Sequence, residues 1–271
     1  MIIDSHVHIG KSQFLHIDAG GDFLVRMADV VGFDRLFVTD LTALFYDHAE
    51  GNRLLVRAMK KHPKRILGYV TVSSHRHGRA AVDEIRRGRE VHGMRGIKMY
   101  SYPEAPVTER GMVPILETAA ELKMPLLVHA TPDECATMAE RVPGATILMA
   151  HSGGHPWAKG NWHRAIEVAE EHAGVLLDTA TSQIDAGMIE AMVARVGAER
   201  VVFGSDMPLL DPWTQLAKVT QADISADAKQ MILGGNMARL LNLAECRIAN
   251  DEFRTPKTKR RSRTNRRSGK V

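Results

Sequence analysis

MIIDSHVHIG, residues 1–10, opens the chain with a short apolar run that ends in two histidines one residue apart. Extended backbone turns successive side chains to opposite faces, so His6 and His8 share one face and Val7 takes the other. Two imidazoles then leave the C-terminal end of one strand toward the same point. Seven further runs of the same kind follow: RLFVTD (35–40), ILGYVTV (66–72), GIKMY (96–100), PLLVHA (125–130), TILMAHS (146–152), GVLLDTA (174–180) and VVFGSD (201–206). Between the runs, apolar residues recur at helical spacing. Phe23, Leu24, Met27, Val30 and Val31 form one such stripe, and Ile184, Met188, Ile189, Met192, Val193 and Val196 another, each predicted to face a sheet. Thr131-Pro132-Asp133-Glu134 reads as an N-cap with proline at the first helical position and an acid at the third, and Asp211-Pro212 repeats the signal. Gly32, Gly174 and Gly197 follow helical stripes and suit left-handed C-caps.

Eight strands alternating with helices over residues 2–243 predict an α/β protein of the (β/α)8 TIM-barrel class. A doubly wound open sheet fits less well. No G-x-G-x-x-G follows the first strand, and Gly234-Gly235 lies in a helical context.

The 271 residues carry 36 Lys and Arg against 32 Asp and Glu, for a net charge of +4. Nine of the basic residues fall in FRTPKTKRRSRTNRRSGKV (253–271), which has no acid, so residues 1–252 hold 27 basic and 32 acidic groups, net −5. The expected organisation is a barrel over 1–243 and a basic, disordered tail over 244–271, because a block of like charge with one Phe and no periodicity cannot offset its ordering entropy. Nucleic-acid contact by that tail is the secondary reading. No apolar stretch approaches a membrane span and the start does not read as a signal peptide, so a cytoplasmic protein and a homo-oligomer are expected. Cys135 and Cys246 are too few for a disulfide framework, whereas 13 histidines are a rich ligand supply.

Functional groups of parallel barrels gather at the C-terminal strand ends. His6 and His8 close the first run, Lys98 sits in the fourth, His129 ends the fifth, His151 the sixth and Asp206 the eighth. A lone histidine is more often packed or solvated, and that reading is kept for His16, His48, His62, His75, His77, His92, His155, His163 and His172. Four strand-end histidines with one aspartate would be a costly set of buried polar groups unless a cation paired them. Imidazole with carboxylate suits Zn2+, with Mn2+ as the alternative. Gly204 shares the face of Asp206 and is expected to leave room for the ligand sphere.

The pieces DSHVHIG, RGIKMY, LLVHA, MAHSGG, GVLLDTA, VVFGSDMP and ILGGNMARLLNL, in this order, resemble the amidohydrolase superfamily. The fit is to its amidohydrolase-related branch, which includes aminocarboxymuconate-semialdehyde decarboxylase. The resemblance implies His6, His8, His129 and Asp206 as metal ligands, with His151 as a further ligand or an electrophile on the substrate oxygen. In some relatives a lysine placed like Lys98 is carboxylated and bridges two metals. The branch that fits best implies one metal per chain, with Lys98 pairing an acid or a substrate carboxylate.

The activity this implies is hydrolysis of an amide, lactone or ester of a small molecule, Asp206 accepting the proton of the attacking water and His151 steadying the oxyanion. A non-oxidative decarboxylase using the same site is the alternative, and a non-catalytic barrel the third reading. Asp40, Tyr46, Ser73, Ser74, Tyr100, Trp157 and Ser182 are the loop residues available for specificity.

Overall fold

A computed structural model describes residues 1–243 except 14, 76–77, 103, 154–160 and 184. The basic tail, Cys246, His77, His155, Trp157 and Ile184 lie outside the described residues.

The strands are β1 (Ile3–Ser12), β2 (Ile17–Ala19), β3 (Arg35–Asp40), β4 (Ile66–Thr71), β5 (Gly96–Tyr100), β6 (Leu126–His129), β7 (Ile147–Met149), β8 (Val175–Asp178) and β9 (Val201–Val202). Seven of the eight predicted runs contain one of them whole, and the first is overrun by β1, which continues to Ser12. Strands β1 and β3 to β9 pair in parallel, in sequence order. The circle closes through Ser5 N donating to Phe203 O at 2.9 Å, Asp206 N to His6 O at 2.8 Å and His8 N to Met207 O at 2.8 Å. The molecule is a (β/α)8 barrel. Strand β2 is the unpredicted addition, folding antiparallel onto Gly10–Ser12.

Side-chain alternation divides two cores. Leu127, Leu148, Leu176 and Val202 fill the barrel with Phe37 and Tyr69, whose rings stack at 3.6 Å. Leu126, Val128, Ile147, Met149, Val175 and Leu177 face the helices. The floor is shut by Met237 and Leu241 from the C-terminal helical turns. There Gly234 passes so close to the first strand that a Cβ would stand 2.3 Å from Met1 O.

Helix chemistry follows the sequence with three corrections. Thr131 and Glu134 form a reciprocal capping box, Asp211 caps Pro212–Thr220, and Gly32 ends its helix at φ 98°. Phe23 and Val30, predicted to face the sheet, are 39% and 65% exposed, because Leu24, Ala28 and Val31 define the buried face of Gly21–Val31. Gly174 is not a left-handed cap: the preceding helix ends at His172, and Gly174 is needed because a Cβ would meet Ala145 O at 2.5 Å. Gly197 does cap, but at φ 84° and ψ 150°, outside the left-handed helical well. Among the described residues no helix is long and apolar enough to cross a membrane.

Candidate metal centre

The pairing of β1 with β3 slips by one residue between Asp4 and Val7. Ile3 lies inside the barrel, and strict alternation from it would turn His6 and His8 outward. The slip restores them to the interior. Both are buried, Val7 lies in the helix-side core, and the two imidazoles stand 5.1 Å apart at their centroids. Their ring nitrogens meet Asp206 from the far side of the closing seam: Oδ1 is 2.9 Å from His8 Nε2 and 3.6 Å from His6 Nε2.

Asp206 and His151 both stand beyond the ends of their strands rather than on them. Their backbones are left-handed, at φ 59° and φ 58°. That conformation costs a residue with a Cβ of order 1–2 kcal/mol, and here it turns both side chains over the barrel mouth. His151 comes within 4.8 Å of the His6 ring and 4.8 Å of the His129 ring. His129 is buried at the end of β6 with Tyr100 against it at 4.0 Å. Lys98 is wholly buried, with Nζ 3.5 Å from His6 Nε2. Thus the structure brings together all six residues singled out in the sequence.

Sequence reasoning missed the layer that orients them. Asp178, at the end of β8, accepts from His6 Nδ1 at 2.7 Å and from the His151 backbone N–H at 3.2 Å. Thr39 lies 2.8 Å from His8 Nδ1, and Ala180 O accepts from His151 Nδ1. For His6 and His151 the oxygen can only accept, which sets the proton on Nδ1 and leaves Nε2 as the lone-pair atom, whereas the Thr39 hydroxyl can donate or accept and lets His8 turn an Nε2 proton toward Asp206 Oδ1. The signal for Asp178 was present: it is the one charged residue of the seventh run, in phase with the interior Leu176. Gly204 also reads differently. A Cβ there would lie 2.4 Å from Asp178 Oδ1 and 2.7 Å from His6 Cβ, so the room it leaves is filled by that pair, not by a ligand sphere.

Burial pushes His8 down to about 4 and His151 down to about 3, so both are neutral at pH 7. Burial pushes the Asp206 carboxyl up, but the His8 hydrogen bond and the neighbouring rings outweigh it and hold the group below its ordinary value. Burial also pulls Lys98 down to about 8. Neutral imidazoles with one ionised carboxylate are the donor chemistry of a divalent transition cation. Two sets of donor atoms lie within 4.8 Å of one another, His6–His8–Asp206 and His6–His151–Asp178. In the second, Asp178 is already the hydrogen-bond acceptor of His6 Nδ1, so the first is the better fit.

The specificity candidates divide. Asp40 caps Leu41–Phe45 through Thr42 N at 2.7 Å, and Ser74 is buried with its hydroxyl on Pro106 O. These two have structural work. Tyr100 instead joins Tyr102, 4.6 Å away, and Phe45, 6.0 Å away, in an aromatic wall beside His129.

We expect Gly204→Ala to displace the His6–Asp178 pair, weakening divalent-metal binding at least about tenfold and costing about 1–3 kcal/mol of stability. Equilibrium dialysis with Mn2+ beside a denaturant titration checks it. Unchanged affinity would show that the pair tolerates the methyl group.

A sequence model of the amidohydrolase family matches residues 3–243. No curated protein matches the chain. Among solved structures it is similar to 2,6-dihydroxybenzoate decarboxylase from Rhizobium, with TM-score 0.73 and 15% identity, covering 90% of this chain and 99% of that one. A dihydroxybenzoic acid decarboxylase from Polaromonas sp. JS666, with bound manganese and 2-nitroresorcinol, gives 0.70 and 16% over 90% and 97%. A 4-oxalomesaconate hydratase from Rhodopseudomonas palustris gives 0.67 and 17% over 89% and 96%.

Proposed function

The chain belongs to the amidohydrolase family, and from that premise we propose that it is a metal-dependent enzyme that removes CO2 non-oxidatively from a small planar acid. The observation that carries the reading is Lys98, a fully buried ammonium group 3.5 Å from His6 Nε2 with no carboxylate at ion-pair distance among the described residues, Asp206 and Asp178 acting on it only from farther off. A buried cation needs an anion beside it. A substrate carboxylate at the mouth supplies one, and the wall of Tyr100, Tyr102 and Phe45 suits a flat, unsaturated body. The decarboxylases of similar fold act on hydroxylated benzoates, in keeping with that shape.

His6, His8 and Asp206 would hold the cation, with His129 and His151 flanking it. Manganese is favoured by the Polaromonas structure, and zinc fits the same donors. When bound, the cation supplies Lewis acidity that polarises a substrate oxygen. The chain's own groups do the rest: Lys98 pairs the carboxylate, Tyr100 lies against the ring, and Asp206 moves the proton that the departing carboxyl group is replaced by.

Hydrolysis is the second reading, favoured by an ionised Asp206 at the mouth, a base for the proton of an attacking water. One experiment separates them. The protein loaded with Mn2+ or Zn2+ is offered hydroxybenzoates and enoic acids in parallel with neutral lactones, amides and esters. CO2 release is followed alongside hydrolysis. We expect one metal equivalent per chain, loss of activity with chelator, its return with metal, and turnover of acids. Turnover of the neutral substrates alone overturns the decarboxylase reading. Two metal equivalents, one of them lost in Lys98→Ala, would make Lys98 a bridge.

A further inference from the structure

Segment 178–181 leaves β8 with its carbonyl groups held by side chains. Asp178 O accepts from Ser152 Oγ at 2.7 Å, and Ala180 O from His151 Nδ1. Thr179 O and Thr181 O both accept from Lys218 Nζ, at 2.8 and 2.9 Å, and Thr181 O also accepts from Gln215 Nε2 at 3.1 Å. Gln215 and Lys218 are three residues apart on one face of Pro212–Thr220, the helix that follows the Asp206 loop. Lys218 is half-buried and Gln215 buried, so neither is a solvated surface group reaching a carbonyl by chance.

We propose that Lys218 is a positioning residue for His151 and His6, acting through segment 178–181. A lysine ammonium has several donors on a single atom, so one side chain ties two carbonyls that flank Ala180. Held on both sides, Ala180 O has a fixed direction, and that direction sets the ring plane and the Nδ1–H tautomer of His151. The same tie fixes the residues after Asp178, whose Oδ1 accepts from Ala180 N at 3.1 Å while Oδ2 orients His6. The outer helix layer is thereby coupled to two rings over the barrel mouth. The proposal rests on the metal-centre reading only for its second readout below.

The first readout needs no metal. Nitrogen-15 histidine spectra of the metal-free protein, with the His151 signal assigned by its absence from His151→Gln, report the tautomer directly. The parent is expected to hold His151 as the Nδ1–H form, and Lys218→Met to mix it with the Nε2–H form. The second readout is the Mn2+ dissociation constant, expected to rise roughly 10- to 100-fold in Lys218→Met, the usual cost of losing outer support for a ligand. Lys218→Arg keeps two donors within reach and should recover most of both. Melting temperatures are recorded throughout. A Lys218→Met protein with the parental tautomer and Mn2+ affinity overturns the proposal, as does a loss in both that Lys218→Arg does not relieve at equal melting temperature. Should Lys218→Met fail to fold, Gln215→Met removes one of the three bonds and must move the tautomer the same way by less, and a parental spectrum there is equally fatal. A parent that binds no Mn2+ refutes the metal centre, while its His151 tautomer still decides the role of Lys218.

Discussion

Asp206→Asn is expected to lower turnover roughly 10²- to 10⁴-fold at saturating metal, the usual cost of losing a positioned proton-transfer group. The carboxylate stands 2.9 Å from His8 Nε2 and 3.6 Å from His6 Nε2, on a left-handed residue with φ 59° whose backbone N–H is fixed by His6 O. The backbone that carries it is part of the barrel seam. Asparagine keeps the volume and one oxygen but replaces a basic oxygen with an N–H group. Turned toward His8, that group would also cap the lone pair on Nε2, so weaker metal retention should accompany the slower chemistry. Bound metal and kcat measured on one preparation separate the two effects. Full occupancy with turnover within about tenfold of the parent would leave Asp206 as a ligand only.

Strand positions were legible because the barrel demands apolar runs in every strand, and those runs survive in the sequence as Val, Ile and Leu stretches. The candidate site was legible for a related reason: histidines and aspartates closing such runs stand at the barrel mouth, although Asp40 closes one and caps Leu41–Phe45 instead. What escaped is whatever depends on pairing between distant residues. The one-residue slip in β1 leaves no local mark, yet without it the phase that places Ile3 inside would turn His6 and His8 outward. The exposed Phe23 and Val30 belong to the same class. Helical spacing identified a stripe, but only the neighbouring strands decide which edge of it is covered.

Asp178 illustrates the limit most sharply, since its partners lie 172 and 27 residues away. Its oxygens accept from His6 Nδ1, His151 N and Ala180 N, and Asp178, His6 and Ala180 are wholly buried. Asp178→Ala leaves these donors without their acceptor. Breaking a buried, hydrogen-bonded pair typically costs about 3–5 kcal/mol, and loss of the carboxylate behind a ligating histidine costs about 10- to 100-fold in metal affinity. Both are expected here.

The pH dependence has a definite sign. Burial opposes ionisation of Asp178, but the His6 and His151 rings and its hydrogen bonds prevail, and its folded value lies below the ordinary one. Between the two values the unfolded chain binds the extra proton, so the group stabilises the fold above the unfolded pKa, and that contribution fades as pH falls toward the folded one. Denaturant titrations at pH 7 and pH 3 should show the gap between parent and Asp178→Ala narrowing in acid. Asp178→Asn sharpens the test. Because both carboxylate oxygens accept, the amide sets an N–H against a donor whichever way it is turned. If it faces His6, the ring proton is forced onto Nε2, the atom proposed to hold the metal. Asp178→Asn should therefore lose metal affinity while keeping more stability than Asp178→Ala. Equal metal affinity in parent and both variants would mean that His6 keeps its tautomer without Asp178, and the orienting role assigned to that carboxylate would fall.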